Sequence, residues 1–369
     1  MFIKKLLFFA IIFNTSINLF AQSLSLDNVK MPYSVGFKTF LWSDNSRQFK
    51  FQNQTQSVNR PIRVFVWYPT TKSKSANFLN FGDYVYSSSL TKDTSQLTTA
   101  EKSEFEKKLV TTLEFFEVTA EQVANLMKAE TKAIADAPEK KGKFPLIVLG
   151  NVGEGFYYTS TAEFLAANGY IVVSLPSLGA NEGTRCGFDL NCLKLQQADM
   201  EFVIEKLKTF PNADAAKIGL IAWSFSGLAV AHLQTKNPNI KAVVSLDAAT
   251  GYQYGKEILD QSKEFEMNKS NLPFLHFHGL GGSSRVPKNF EFFNAYQSKE
   301  KRLVTMKNLQ HSDFISLYGN AVRFAKKDNN EKAISGIRQV NLITLEFLNA
   351  YLKNNRKSLK HFDELLKNL

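Results

Sequence analysis

Cysteine is scarce in this chain. Among 369 residues there are two, Cys186 and Cys192, both within Cys-Gly-Phe-Asp-Leu-Asn-Cys. That stretch supplies too few ligands for a metal site, and no metal or cofactor is expected. Long apolar runs are equally few: one covers residues 6–20, and no second exists that could span a membrane. Internal repeats, low-complexity tracts and an interdomain linker are also missing, which leaves one domain with insertions over residues 22–369. The net charge is +11, yet the basic residues lack clustering. Lys140-Lys141-Gly-Lys143 and Arg356-Lys357 are short, and elsewhere Lys and Glu alternate, as in Glu101-Lys-Ser-Glu-Phe-Glu-Lys-Lys108. Such a surface is solvated and does not track phosphates, so no nucleic-acid partner is expected.

What is present begins with Lys4 and Lys5 ahead of the run at 6–20, which Asn14-Thr15-Ser16 and Asn18 interrupt before the small exit residue Ala21. A positive start, a short apolar core and a small-residue exit read as a signal peptide over 1–21. A transmembrane anchor is the alternative, but the interrupted run falls short of the ~20 apolar residues a span needs. No cysteine lies near Ala21, which excludes lipoprotein anchoring there. Removing residues 1–21 takes away two lysines and no acid, lowering the net charge from +11 to +9. An exported protein, periplasmic or secreted, with no stable membrane span follows. In that setting the nearby Cys186 and Cys192 suggest a local disulfide pinning a loop. With 44% hydrophobic residues, including 32 Phe, a large core is expected.

Residues 33–42 and 60–69 have strand character, and polar residues 43–59 suit an antiparallel connection. Residues 71–141 then interrupt the pattern. Thr98-Thr-Ala-Glu101 and Thr119-Ala-Glu-Gln122 are capping boxes, each followed by apolar residues at helical spacing. The spacing predicts a helical insertion, either a lid over a pocket or a peripheral pair. From Phe144 onward, the apolar runs 146–149, 170–175, 218–222 and 242–246 read as buried parallel strands alternating with helices. The helix between the first two is expected to be capped by Ser160-Thr-Ala-Glu163 and to end at Asn168-Gly169. Residues 251–270 read as polar and irregular. Residues 272–278 and 302–306 add two strands, and a long helix carrying Ile337, Val340, Ile343, Phe347 and Tyr351 packs back on the sheet. The fold class is α/β, with a mostly parallel central sheet flanked by helices.

The chain is organised around Ala222-Trp-Ser-Phe-Ser-Gly227. A strand, a lone serine among small residues and then a helix is the layout of a nucleophile elbow, although Ala222 and Ser226 stand where the usual motif has glycines. Ser224, Asp247 and His311 follow one another at strand ends, the order of nucleophile, acid and base in α/β-hydrolases. A serine hydroxyl needs an imidazole to take its proton, and a carboxylate holds that imidazole in the right tautomer. Another common place for the acid is the loop after 272–278. Here it is Gly279-Leu-Gly-Gly-Ser-Ser-Arg285, which carries no Asp or Glu. Asp247 is therefore the candidate, and Asp313, very near His311 in sequence, is the fallback. His276 reads as structural and His232 as packed in an apolar helix, whereas His278 at a strand end and Trp223 beside the serine are candidate pocket residues. The N–H groups of Phe225 and of Val152, in the loop Gly150-Asn-Val-Gly-Glu-Gly155, are the candidate oxyanion donors. That loop could instead cradle phosphate, but its spacing matches neither a P-loop nor a dinucleotide fingerprint.

Together with Trp-Tyr-Pro69, Ala-Asn-Gly-Tyr-Ile-Val-Val-Ser-Leu-Pro176 and Val-Ser-Leu-Asp-Ala248, these residues resemble the platelet-activating-factor acetylhydrolase branch of the α/β-hydrolase superfamily, close to dienelactone-hydrolase-like esterases. The resemblance spans roughly residues 30–350. It departs from the family at Gly150-Asn151, where His-Gly is usual, and at Ser226. It implies an α/β-hydrolase fold, with Ser224 as nucleophile, Asp247 as acid, His311 as base and Val152 and Phe225 as oxyanion donors. It also implies hydrolysis of short-acyl, acetyl or phospholipid esters, so the expected partner is a small-molecule or lipid ester. A catalytically inactive relative that binds a lipid or glycan is the alternative. A peptidase of this fold would be expected to show a propeller or other gating domain, and the sequence gives no sign of one.

Overall fold

The computed structural model describes residues 31–369 apart from 72–76, 185 and 282–286. The expected leader at 1–21 and most of the acid-free loop at 279–285 lie outside the described residues.

The strands are β1 (Ser34–Phe49), β2 (Val58–Thr70), β3 (Phe78–Asn80), β4 (Glu130–Ala135), β5 (Phe144–Gly150), β6 (Ile171–Ser174), β7 (Ala213–Trp223), β8 (Ile240–Leu246), β9 (Phe274–Gly281) and β10 (Lys301–Gln310). The helices are α1 (Phe81–Tyr86), α2 (Thr99–Glu114), α3 (Ala120–Met127), α4 (Thr159–Ala167), α5 (Leu190–Leu207), α6 (Ser226–Leu233), α7 (Gln253–Asp260), α8 (Glu291–Ala295), α9 (Val322–Lys326), α10 (Glu331–Leu352) and α11 (Arg356–Lys367). The strands form one sheet in the order β10-β9-β8-β7-β5-β6-β2-β1-β4-β3. From β6 to β10 the pairings are parallel, and β2 runs antiparallel to both β6 and β1.

Side chains alternate across a strand, so one run of apolar residues serves two cores. Along β5, Ile147 and Leu149 pack with α4 and α10 on one face, while Leu146 and Val148 pack with α5 and α6 on the other. This is why the central strands read as unbroken apolar runs. On β2 the alternation has the same origin. Ile62, Val64 and Val66 face one core, and Phe65 and Trp67 face the other, against Phe37 and Tyr84. Arg60 of β2 is fully buried and holds Asp199 of α5 through Nε and Nη2 at 2.8 and 2.7 Å.

Several segments differ from the sequence expectation. In 71–141 the two capped helices are present as α2 and α3, with Thr98 and Thr119 each accepting from the N–H three residues on. The segment also contains α1 and two strands. β4 pairs in parallel with β1, Val35 opposite Ala133, and β3 pairs antiparallel with β4. Only Thr131 and Ala133 of β4 are buried, too little apolar surface to mark a strand in the sequence. Residues 253–260 are helical rather than irregular, because Gly255, Ile258 and Leu259 fall on one buried face of an otherwise polar segment. Ser160 and Glu163 do not cap a helix. A 3-10 turn at Gly155–Tyr158 leads into α4 at Thr159, which puts Glu163 inside the helix and in the core.

Candidate active site

Ser224, Asp247 and His311 come from the carboxyl ends of three parallel strands. Ser224 follows β7, Asp247 follows β8, and His311 follows β10 at the head of a 3-10 turn. Ser224 has φ +57°, a left-handed backbone that an L-residue adopts only when its surroundings enforce it. Those surroundings are specific. The Ser224 carbonyl accepts from Gly227 N–H and Ala249 N–H, and Ser226 Oγ donates to the Trp223 carbonyl at 2.7 Å. The elbow tolerates Ala222 and Ser226 because Gly150 of β5 lies across from them. A Cβ at Gly150 would stand 3.2 Å from Ser226 Oγ and 3.3 Å from the Ala222 Cβ. The room usually left by glycines in the elbow is left here by a glycine on the neighbouring strand. Gly227 is required as such, since a Cβ there would lie 2.4 Å from the Ala248 Cβ.

Side chains link the three residues. His311 Nε2 is 3.1 Å from Ser224 Oγ, and His311 Nδ1 is 2.7 Å from Asp247 Oδ2. The Asp247 side chain is almost wholly buried, while that of His311 is 43% exposed, so the imidazole meets solvent and the carboxylate does not. Asp247 also adopts a positive φ, +45°, and its N–H donates to the Phe277 carbonyl. Burial on its own would raise the Asp247 carboxyl. Hydrogen bonds from His311 and Lys288 outweigh it and bring the pKa down to about 2. The carboxylate is therefore charged wherever the imidazole can titrate.

Trp223 stacks on the His311 ring at 4.7 Å between centroids, and its Nε1–H donates to the His311 carbonyl at 2.7 Å. It orients the turn that carries the imidazole. His278 is buried, bonded to Thr305 Oγ1 at 2.7 Å and packed against Phe290. Burial depresses its pKa, and it depresses that of fully buried His276 further, to about 3. His276 bonds Ser245 and His232 bonds Ser262, as structural histidines do. Asp313, the fallback acid, accepts from Gln310 N–H and from Arg323, and so braces the His311 turn.

The candidate oxyanion donors differ from each other. Phe225 is the N-cap of α6, so its N–H belongs to the positive end of a helix. The Val152 N–H, by contrast, donates to the side-chain oxygen of Asn151 at 2.8 Å, and Gly153 N–H donates to the same oxygen at 3.1 Å. Asn151 is buried, and its amide nitrogen donates to the Glu154 carbonyl. A disulfide joins Cys186 and Cys192 across the head of α5, with 5.1 Å between the Cα atoms. Within that loop, Phe188 is exposed and meets buried Phe225 edge-on at 5.3 Å. Among the described residues no cluster of three or more His, Cys, Asp and Glu could hold a metal ion, and no helix is long and apolar enough to cross a membrane.

No protein-family model matches the chain, and no curated protein matches it either. Among solved structures, a ferulic acid esterase from Streptomyces cinnamoneus superposes with a TM-score of 0.59 at 18% identity, covering 89% of this chain and 92% of that one. This chain has the α/β-hydrolase fold. In open α/β sheets ligands bind at the carboxyl ends of the strands, the ends that carry Ser224, Asp247 and His311 here.

Three residues around this site have roles that the sequence does not announce. Lys288 reaches Asp247 from 41 positions away, and Tyr252 donates to Asp247 Oδ2 at 3.3 Å. Asn151 looks like any loop asparagine until its side chain is seen holding two backbone N–H groups.

Proposed function

We propose that the protein is an exported serine hydrolase that cleaves carboxylic esters through an acyl-enzyme. The observation that carries this reading is the hydrogen-bonded chain from Ser224 through His311 to Asp247, with Ser224 at a positive φ. In the first step His311 Nε2 takes the Ser224 proton as Oγ attacks the ester carbonyl, and Asp247 stabilises the imidazolium. The Phe225 N–H receives the developing oxyanion. The Val152 N–H joins it once a substrate oxygen displaces the Asn151 side chain. His311 then protonates the departing alcohol, and in the second half it activates the water that releases the acid. Short-acyl, acetyl or phospholipid esters of the acetylhydrolase-like branch are the proposed substrates. The esterase named among the structural neighbours supports ester chemistry in general.

The segment 71–141 is proposed as a cap beside the site. Its Lys108 pairs with Glu154 of the oxyanion loop, and its Phe116 stacks on Tyr318, which in turn neighbours Trp223. Export is supported by the Cys186–Cys192 disulfide. Hydrolysis of p-nitrophenyl acetate by the wild type and by Ser224→Ala tests the reading, and equal rates would refute it.

One observation favours a second reading, an inactive α/β-hydrolase-fold protein that binds a lipid or glycan. The Val152 N–H is already engaged by Asn151 in the resting protein. Under that reading neither protein hydrolyses the ester.

A further inference from the structure

Lys288 takes no part in the proton transfers of ester cleavage, yet it makes three contacts at their centre. Its ammonium donates to Asp247 Oδ1 at 2.9 Å and to the Gly279 carbonyl at 2.8 Å, and lies 5.5 Å from the centroid of the Tyr252 ring. The Lys288 side chain is 16% exposed and that of Asp247 2%. The backbone is held as well: Lys288 bridges Tyr252 in antiparallel fashion, and the Phe290 N–H donates to the Gly251 carbonyl. These contacts divide the work of the carboxylate. Oδ1 receives Lys288 and, at 3.4 Å, the Gly279 N–H, so Oδ2 is the oxygen presented to His311.

We propose that Lys288 is a positioning residue for the Ser224–His311–Asp247 unit, orienting the Asp247 carboxylate toward His311 Nδ1 and offsetting part of the charge that the imidazole faces. The proposal rests on the reading of Ser224 as nucleophile and deepens it. A carboxylate beside an imidazole favours the protonated ring, and an ammonium on its other oxygen opposes that. Other titratable groups among the described residues also lie near the pair. Tyr252 OH donates to Asp247 Oδ2 at 3.3 Å, and burial raises the Tyr254 hydroxyl to about 12. His276 and His278 are buried and disfavoured as cations, and Asp313 is held by Arg323. Among the described residues, Lys288 is the lysine or arginine that pairs with the carboxylate. The loop that carries the acid in many α/β-hydrolases leads here to a countercharge for an acid placed on β8.

The test replaces Lys288 in the full chain. Lys288→Gln and Lys288→Met are two independent neutral side chains, and either suffices. Lys288→Arg keeps the charge. Five histidines make the ring signals separable by NMR, with His311 assigned from its loss in His311→Asn. An unchanged signal from His232, which bonds Ser262 and has Lys236, Glu264 and Lys194 as its charged neighbours, reports that the fold is kept. The expected result is that His311 titrates about one pH unit higher in the neutral variants and near the wild type in Lys288→Arg. The acid limb of kcat/KM on p-nitrophenyl acetate should move by the same amount. A neutral variant whose His311 curve overlays the wild type would overturn the proposal, as would an arginine variant displaced as far as the neutral ones. The NMR readout needs no turnover. A displaced His311 without Ser224-dependent hydrolysis would uphold the role of Lys288 and refute the esterase reading. Hydrolysis with an undisplaced His311 would refute the proposal alone.

Discussion

Two non-glycine residues of the site, Ser224 and Asp247, sit in the left-handed backbone region, and each is held there by bonds from neighbouring strand ends. Strain of that kind persists only where the surroundings over-determine it. Here it aims the hydroxyl at His311 Nε2 and the carboxylate at His311 Nδ1. The Asp247 pKa of about 2 lies below the ~3.9 of an unfolded aspartate, so the folded chain binds fewer protons in between. The stability it contributes, about 2 kcal/mol, is fully present above pH ~4 and is lost as pH falls through about 2. Asp247→Asn should therefore flatten the acid end of a stability profile measured by urea unfolding from pH 2 to 6. The same variant should lower kcat by about a thousandfold to ten-thousandfold, because the amide no longer holds the imidazole in the useful tautomer. Undiminished turnover would remove Asp247 from the mechanism.

At the scale of elements, α4 is tied to the segment 71–141 by a buried carboxyl. Glu163 accepts from Tyr84 OH at 2.6 Å and from the Lys132 N–H at 3.2 Å, while Tyr84 in turn accepts from Trp67 Nε1. Burial raises the Glu163 carboxyl to about 7 in spite of these donors. The folded chain thus holds a proton that the unfolded chain has lost between pH ~4.3 and 7, and stability should decline as pH rises through that window. Glu163→Gln can offer its carbonyl to Lys132 and its amide to Tyr84. It should be more stable than the wild type at pH 8 and free of that decline, as thermal unfolding at pH 5 and pH 8 would show. The sequence hides this tie. Ser160 to Glu163 reads as a capping box, and only the preceding 3-10 turn, set by Phe156 and Tyr158 in the core, shifts the helix start and sends Glu163 inward. The elements that are legible are those buried on both faces. β5, β6, β7 and β8 show as unbroken apolar runs, whereas β4 buries two small side chains and α7 three residues.

At the scale of the whole molecule, one sheet with helices on both faces brings residues 224, 247 and 311 together. Their order along the chain, one after each of three strands, makes that constellation legible in the sequence itself. Lys288 and Asn151 are not legible, because what distinguishes them is whom they meet in space. The sheet is tied to the helices on one of its faces by polar groups as well as by packing. Arg60 joins β2 to Asp199 of α5 and to the carbonyls of Leu178 and Gly179. Removing one partner of such a pair leaves a buried charge uncompensated, so Asp199→Ala should cost about 3–5 kcal/mol in urea unfolding. A loss under about 1 kcal/mol would mean that Arg60 finds other partners or water. Activation of Ser224 as a nucleophile can be read with a fluorophosphonate probe, which reacts only with a serine whose proton a base can take. The expected result is a single adduct that maps to the peptide holding Ser224 and is lost in both Ser224→Ala and His311→Asn. An unlabelled wild-type protein, or an adduct on another residue, would contradict it.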